Sequence, residues 1–315
     1  MESTIASSSA PSLSLRHLTK FYGDKLGVED ITLDVHPGEV MGFLGPNGSG
    51  KTTVIRMLTG LIAITRGEAD ILGSRVEFGN PSARRNVGYL PGTLGLYDNL
   101  TARDYFRFLS RMRDTDRRRH DHMVNAIEIA DRLGLDVDVK IGSMSKGTRQ
   151  KVGVVQAFMH RPQVLILDEP TSGLDPLVQR TFVELLGQAR GEGAAVLLSS
   201  HVMHEVESIA THVAIILNGR QKVVDHMTKV HERVQRSLTF DFDQSIAHDT
   251  AINRFANCPN VVAVAHEGST VTCTVVGSET ELLRIAVDLG VSTVTSTEPT
   301  LEDLFYSVTG GSDGH

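Results

Sequence analysis

Nine consecutive residues restrict this chain more than any other stretch: Gly45-Pro46-Asn47-Gly48-Ser49-Gly50-Lys51-Thr52-Thr53 satisfies G-x-x-x-x-G-K-[ST] in full. Val40-Met41-Gly42-Phe43-Leu44 ahead of it reads as a short buried strand. Val54 to Leu61 behind it reads as a helix with apolar residues three and four apart. Strand, glycine-rich turn and helix make a phosphate-binding loop. The residue types follow from the anion. Glycines let the backbone curl so that successive N–H groups point inward, and a helix starting near Gly50 adds unpaired N–H groups and the positive end of its dipole. Lys51 brings a full charge to the β- and γ-phosphates, and the Thr52 hydroxyl is placed to ligate Mg2+. Alone, the loop specifies an NTPase or a kinase.

The remaining bounds are broad. With 315 residues, 40% hydrophobic and 22% charged, the chain has room for one large domain and a small one. A net charge of −7 argues against a nucleic-acid-binding surface over the whole chain. No apolar run reaches eighteen residues, so no transmembrane helix is expected. The Ser/Ala-rich start, residues 1–12, lacks the basic and apolar regions of a signal peptide and reads as a flexible tail. Cys258 and Cys273 are the only cysteines; beside a nucleotide site they point to a reducing compartment and to buried free thiols.

Leu13 to Thr19 and Val28 to Val35 alternate apolar and polar residues, as half-buried strands of an antiparallel edge sheet do, with Phe21-Tyr22-Gly23 at the turn. Gly67 to Leu72 and Asn86 to Leu90 are two further short strands. Thr101 to Arg113 and Arg117 to Leu133 read as helices. The first carries Tyr105, Phe106, Phe108, Leu109 and Met112 on a broad apolar face, and the run Arg117-Arg118-Arg119 reads as a solvated face. From Ser145 onward the pattern becomes α/β: helix to His160, strand Val164–Leu167, helix Pro176–Arg190 capped by Asp175, strand Ala194–Leu198, helix Val202–Ala210, strand Val213–Leu217. Short apolar strands alternating with helices predict a parallel sheet covered on both faces. Beyond residue 231 the order is βαββαβ, the ferredoxin-like split motif. A last helix after Pro299 is striped by Leu301, Leu304, Phe305 and Val308.

A second motif ends the strand Val164–Leu167: Asp168 at the carboxyl end of an apolar strand lies beside the phosphate loop and can hold Mg2+ through water, and Glu169 can orient or deprotonate the attacking water. Three further pieces follow the helical region: Met144-Ser145-Lys146-Gly147-Thr148, Ser172-Gly173-Leu174-Asp175, and His201 after an apolar strand. Separately each has a bland reading. Ser-x-Gly ahead of a helix is a cap, a lone histidine after a strand is structural, Tyr22 is an edge aromatic, and His201-x-x-His204-Glu205 has the spacing of a metal pair without a third ligand.

Taken in order, these five motifs resemble the ATP-binding subunits of ABC transporters over about residues 13–230. The resemblance implies an α/β P-loop ATPase domain at 13–231, with an antiparallel β edge sheet and a helical subdomain at about 93–160. A small α+β ferredoxin-like domain at 232–315 would follow. It implies that Ser145 and the Gly147 backbone hold the γ-phosphate of an ATP bound to a second copy. Asp175 would belong to the loop crossing the dimer interface, His201 would touch the γ-phosphate, and Tyr22 would stack on adenine. A separate multi-span membrane subunit is implied as partner, with this chain peripheral on the cytoplasmic face of the cell membrane. The Ser-Lys-Gly variant and the tail Glu298 to Phe305 resemble exporters of drugs, antibiotics and lipids; a soluble ABC ATPase unconnected with transport is the alternative. Two departures stand out. Lys146 and Thr148 replace the family's usual Gly and Gln, and Gly92 stands where a Gln usually ligates Mg2+ and senses the membrane subunit. Water in place of that ligand, with coupling through the backbone of residues 92–99, is the expectation.

Overall fold

A computed structural model describes residues 10–113, 116–233, 236–242, 246–275, 278–297, 300–302 and 305. Most of the expected N-terminal tail, and Leu304 and Val308 of the expected last helix, lie outside them; Leu301 is buried. The chain divides into two units, residues 1–224 and 225–315, where the sequence reading put the division after residue 231.

In the first unit β1 (Leu13–Tyr22) and β2 (Lys25–Val35) form an antiparallel hairpin turning at Gly23, and β1 runs on to Tyr22 rather than ending at Thr19, its register with β2 shifting on the way. Next come β3 (Val40–Leu44), α1 (Lys51–Leu58), β4 (Arg66–Ile71) and the two-residue β5 (Ser74–Arg75). β6 (Val87–Leu90) leads into α2 (Ala102–Arg113), α3 (Asp116–Arg132) and α4 (Lys146–Phe158), which pack on one another as the helical part. The α/β series is β7 (Val164–Asp168), α5 (Pro176–Gly191), β8 (Ala195–Ser200), α6 (Met203–Ile209) and β9 (His212–Leu217), closed by β10 (Arg220–His226).

These strands form one ten-stranded sheet in the order β5-β4-β1-β2-β10-β9-β3-β8-β7-β6. β9, β3, β8, β7 and β6 run parallel. Every residue of β3, β7 and β8 is buried, as strands covered on both faces require. The sequence reading missed β10. It lies between β2 and β9, pairs in parallel with β2 through Arg220 and Glu29, and so joins the antiparallel strands and the parallel ones into a single sheet. Consecutive parallel strands place their carboxyl ends along one edge, where the phosphate loop follows β3 and Asp168 ends β7.

Helix boundaries obey local chemistry. Asp175 caps α5, accepting from the N–H groups of Leu177 and Val178 at 3.1 Å, with Pro176 at the first helical position. Gly50 opens α1 at φ 109°, and a Cβ there would lie 2.3 Å from Val28 Cγ1, so no other residue fits. On α2, Tyr105 and Phe106 are buried, whereas Phe108 and Met112 are exposed; the apolar face is broader than the core it meets.

The second unit contains α7 (Met227–Arg233), β11 (Arg236–Phe242), α8 (Ile246–Ala256), β12 (Val261–Glu267), β13 (Thr270–Val275), α9 (Thr280–Asp288) and β14 (Val291–Thr297). From β11 onward the order is βαββαβ, and the four strands pair antiparallel as β12-β13-β11-β14. Its core gathers Leu238, Phe240, Phe255, Val271, Cys273 and Leu282. Both cysteines are buried and free, and burial pushes the Cys273 thiol up to about 12.

Candidate active site

The loop after β3 brings its lysine back onto itself. Lys51 is buried, and its Nζ donates to the carbonyls of Gly45 at 2.5 Å and Pro46 at 3.3 Å. Burial lowers its pKa, and the nearby carboxylates of Glu169 and Asp168 act in the opposite direction. Asn47, Gly48, Gly50, Thr52 and Thr53 line the adjoining cavity of about 910 Å3, while Ser49 is buried. Tyr22 stands at the rim of the same cavity, 47% exposed, with Lys20 Nζ 5.3 Å from its ring centroid.

Asp168, 3% exposed at the end of β7, has each carboxylate oxygen engaged. Thr52 Oγ1 donates to Oδ2 at 3.1 Å and Ser199 Oγ donates to Oδ1 at 2.5 Å. Glu169 follows in the left-handed region at φ 52°. Its N–H donates to the Ser199 carbonyl at 3.1 Å, and the Gln150 amide of α4 donates to the Pro170 carbonyl at 2.9 Å. His201 Nδ1 lies 2.7 Å from Glu169 Oε2. The catalytic candidates Lys51, Glu169 and His201 and the metal candidates Thr52 and Asp168 therefore share one site.

Thr52 and Asp168 offer hard oxygen donors, and no group of three or more His, Cys, Asp or Glu suited to a metal occurs among the described residues. That set fits Mg2+, which takes one or two protein oxygens and the rest from water and phosphate. Two members of the His201-x-x-His204-Glu205 run are otherwise engaged: His201 meets Glu169, and Glu205 accepts from Thr171 Oγ1 at 2.5 Å. Gly92 borders the cavity, and a Cβ on it would lie 3.2 Å from Asp168 Oδ2.

Ser145, Gly147 and Asp175 do not line this cavity. Ser145 is exposed at the N-terminus of α4, its Oγ accepting from the Thr148 N–H at 3.2 Å. Gly147 packs so closely on the turn after Glu169 that a Cβ would lie 2.6 Å from the Gly173 carbonyl. Asp175 is spent on its helix cap. Sequence reasoning missed Ser199, Gln150 and Arg56, which also borders the cavity. Nothing local marks Ser199 in the sequence; it meets the aspartate only through the register of β7 and β8.

A larger cavity of about 1560 Å3 opens where β6 faces α2 and α3, lined in part by Leu61, Tyr89, Leu109, Met112, Arg84 and Arg113. Tyr89 borders both cavities; burial first, then the charge of Asp168, pushes its phenol up to about 12.

The ABC transporter family model matches residues 28–172. The bacitracin transport ATP-binding protein BcrA of Bacillus licheniformis is 32% identical over 303 residues, covering 93% of this chain and 96% of that protein. The Nod factor export ATP-binding protein I of Cupriavidus metallidurans is 33% identical over 229 residues, covering 73% and 75%. Among solved structures, an ATP-binding subunit of an ABC transporter superposes with a TM-score of 0.66 at 30% identity, covering 70% of this chain and 91% of that one. A bacterial ABC transporter cassette solved as a dimer gives 0.62 at 21% identity, covering 68% and 98%, a likeness of fold.

Proposed function

This chain belongs to the ABC transporter family as an ATP-binding subunit, an ATPase coupled to transport, and on that premise we propose that it drives an exporter of drug-, antibiotic- or lipid-like cargo as a head-to-tail dimer. The observation that supports the dimer is an incomplete site. Lys51, Thr52, Asp168 and Glu169 share one cavity, whereas Ser145 and Gly147 stand outside it at an exposed helix N-terminus with donors to spare. Two copies facing each other bring the Ser145 end of one to the phosphates held by the other.

The roles follow from the contacts. The loop N–H groups and Lys51 hold the β- and γ-phosphates, Lys51 exchanging its carbonyl partners for phosphate oxygens. Thr52 and Asp168 hold Mg2+, which when bound neutralises charge on the phosphate oxygens. Glu169 takes the proton of the attacking water, and His201 fixes the carboxylate that does so. Tyr22 stacks on the adenine. The larger cavity, where Leu61, Leu109 and Met112 meet Arg84, Arg85 and Arg113, receives a short helix of a multi-span membrane subunit that holds this chain at the cytoplasmic face. No helix among the described residues is long and apolar enough to cross a membrane itself. The export direction and cargo class rest on the bacitracin and Nod factor relatives.

Glu169→Gln with ATP is expected to run as a dimer on size exclusion, and adding Ser145→Arg is expected to return it to monomer while each copy still binds ATP. A Glu169→Gln protein that stays monomeric at saturating ATP refutes the shared site.

A further inference from the structure

Ser199 lies at the centre of the sheet, opposite Phe43 of β3 on one side and Asp168 of β7 on the other. The first strand leads into the phosphate loop and the second ends in the two acids. Ser199 is 0% exposed. Its hydroxyl proton goes to Asp168 Oδ1 at 2.5 Å, which leaves its lone pairs facing the Glu169 N–H at 3.3 Å, and its own carbonyl accepts from that same N–H at 3.1 Å. One buried residue thus holds the side chain of the first acid and the backbone of the second.

The second contact has work to do. Glu169 sits at φ 52°, a conformation a non-glycine residue keeps only where its surroundings hold it. Asp168 is equally constrained. With Oδ1 taken by Ser199, only Oδ2 turns toward Thr52 and the cavity. Thr52 can keep donating its proton to Oδ2 while its lone pair faces a cation. Without the Ser199 proton, the Thr52 bond alone holds the carboxylate about its last torsion and its buried Oδ1 lacks a donor.

We propose that Ser199 is the positioning residue of the acid pair: its hydroxyl fixes the Asp168 carboxylate for Mg2+ and steadies the backbone of Glu169. This rests on the reading of the site as one for Mg2+–ATP. It makes a specific division. ATP held by the loop and Lys51 needs no help from Ser199, whereas the metal does.

The test uses the full chain with Ser199→Ala, Ser199→Thr and Ser199→Cys, each checked for native melting. ATP binding is measured by calorimetry in EDTA, and Mn2+ binding to the ATP-loaded protein by electron paramagnetic resonance. Removing a donor to a charged group predicts that Ser199→Ala weakens Mn2+ binding about tenfold or more and leaves metal-free ATP binding within about twofold. Ser199→Thr restores the hydroxyl and the native midpoint. If the alanine variant does not fold, Ser199→Cys, a weaker donor, is expected to weaken Mn2+ binding at least about threefold. Native Mn2+ binding in a folded alanine or cysteine variant overturns the proposal, as does equal loss of metal-free ATP binding, which marks general damage. Failure of the unaltered protein to bind ATP refutes the nucleotide reading itself.

Discussion

His160, just past the end of α4, lends itself to a quantitative test of how the cassette answers to acid. Its ring is half-buried, with Nε2 3.2 Å from the Val87 carbonyl and Nδ1 shielded from solvent without a hydrogen-bond partner among the described residues. Protonation at Nδ1 buries a charge with no acceptor. Burial is the main cause that pulls its pKa from 6.5 down to about 3; the Arg113 guanidinium and the His122 ring, 6.3 Å away, act the same way, and the bond to Val87 acts against them. The folded protein therefore holds a neutral imidazole through a range in which the unfolded chain takes up a proton. Stability is unaffected above about pH 6.5 and falls as the pH drops from there towards 3. At about 1.4 kcal/mol per pH unit, the loss at pH 5 is about 2 kcal/mol. For a unit of this size that is a fall of about 4–8 °C in melting temperature. His160→Gln keeps an N–H for the Val87 carbonyl and removes the titrating group. The assay is the melting temperature of both proteins at pH 7 and pH 5. The variant starts lower because the ring is lost, but its fall on acidification is expected to be smaller than that of the unaltered protein by this amount. Equal falls in the two proteins refute the assignment.

Three further outcomes are expected. Glu169→Gln should lower ATP hydrolysis by about 10²-fold or more while ATP still binds, measured by phosphate release and calorimetry; wild-type turnover sinks the base assignment. Gly92→Gln places a Cβ 3.2 Å from Asp168 Oδ2, against a carboxylate already satisfied by two donors, so hydrolysis in the assembled transporter should change less than about tenfold, and a larger rise shows that the missing ligand was limiting. Met112→Glu, on the exposed face of α2 beside the larger cavity, should leave melting and ATP binding unchanged yet abolish co-isolation with the membrane subunit; full retention of the complex excludes this docking surface.

Much of the site was legible because its chemistry is local. The loop from Gly45 to Thr53 needs its residues in sequence, and Asp168 and Glu169 are delivered by a strand whose burial shows as unbroken apolar residues. Asp175 and Pro176 announce a helix start on capping grounds alone. What stayed hidden depends on residues far apart in the chain. Ser199 looks like any small strand residue until β7 and β8 pair, and Gln150 like a solvated helix position until α4 meets the turn after Glu169. The β10 strand, Arg220 to His226, is polar at five of its seven positions and shows no apolar alternation, so only its place between β2 and β9 reveals it. The apolar face of α2 left its covering unsaid for a related reason. Apolar spacing marks a face that avoids water, and cannot distinguish a core from a surface waiting for a partner, as Phe108 and Met112 show.

The two cysteines have a practical corollary. Cys258 and Cys273 are the chain's whole complement of thiols, and both are buried in the second unit, Cys273 completely and Cys258 with 7% exposed, so a maleimide reacts with them slowly while the fold holds. The natural sequence is thus already a quiet background for site-directed labelling. A single cysteine at exposed Ser74, on the edge strand β5 and away from the site, would carry a spin label or fluorophore, and the distance between two such labels would test whether ATP closes the proposed pair.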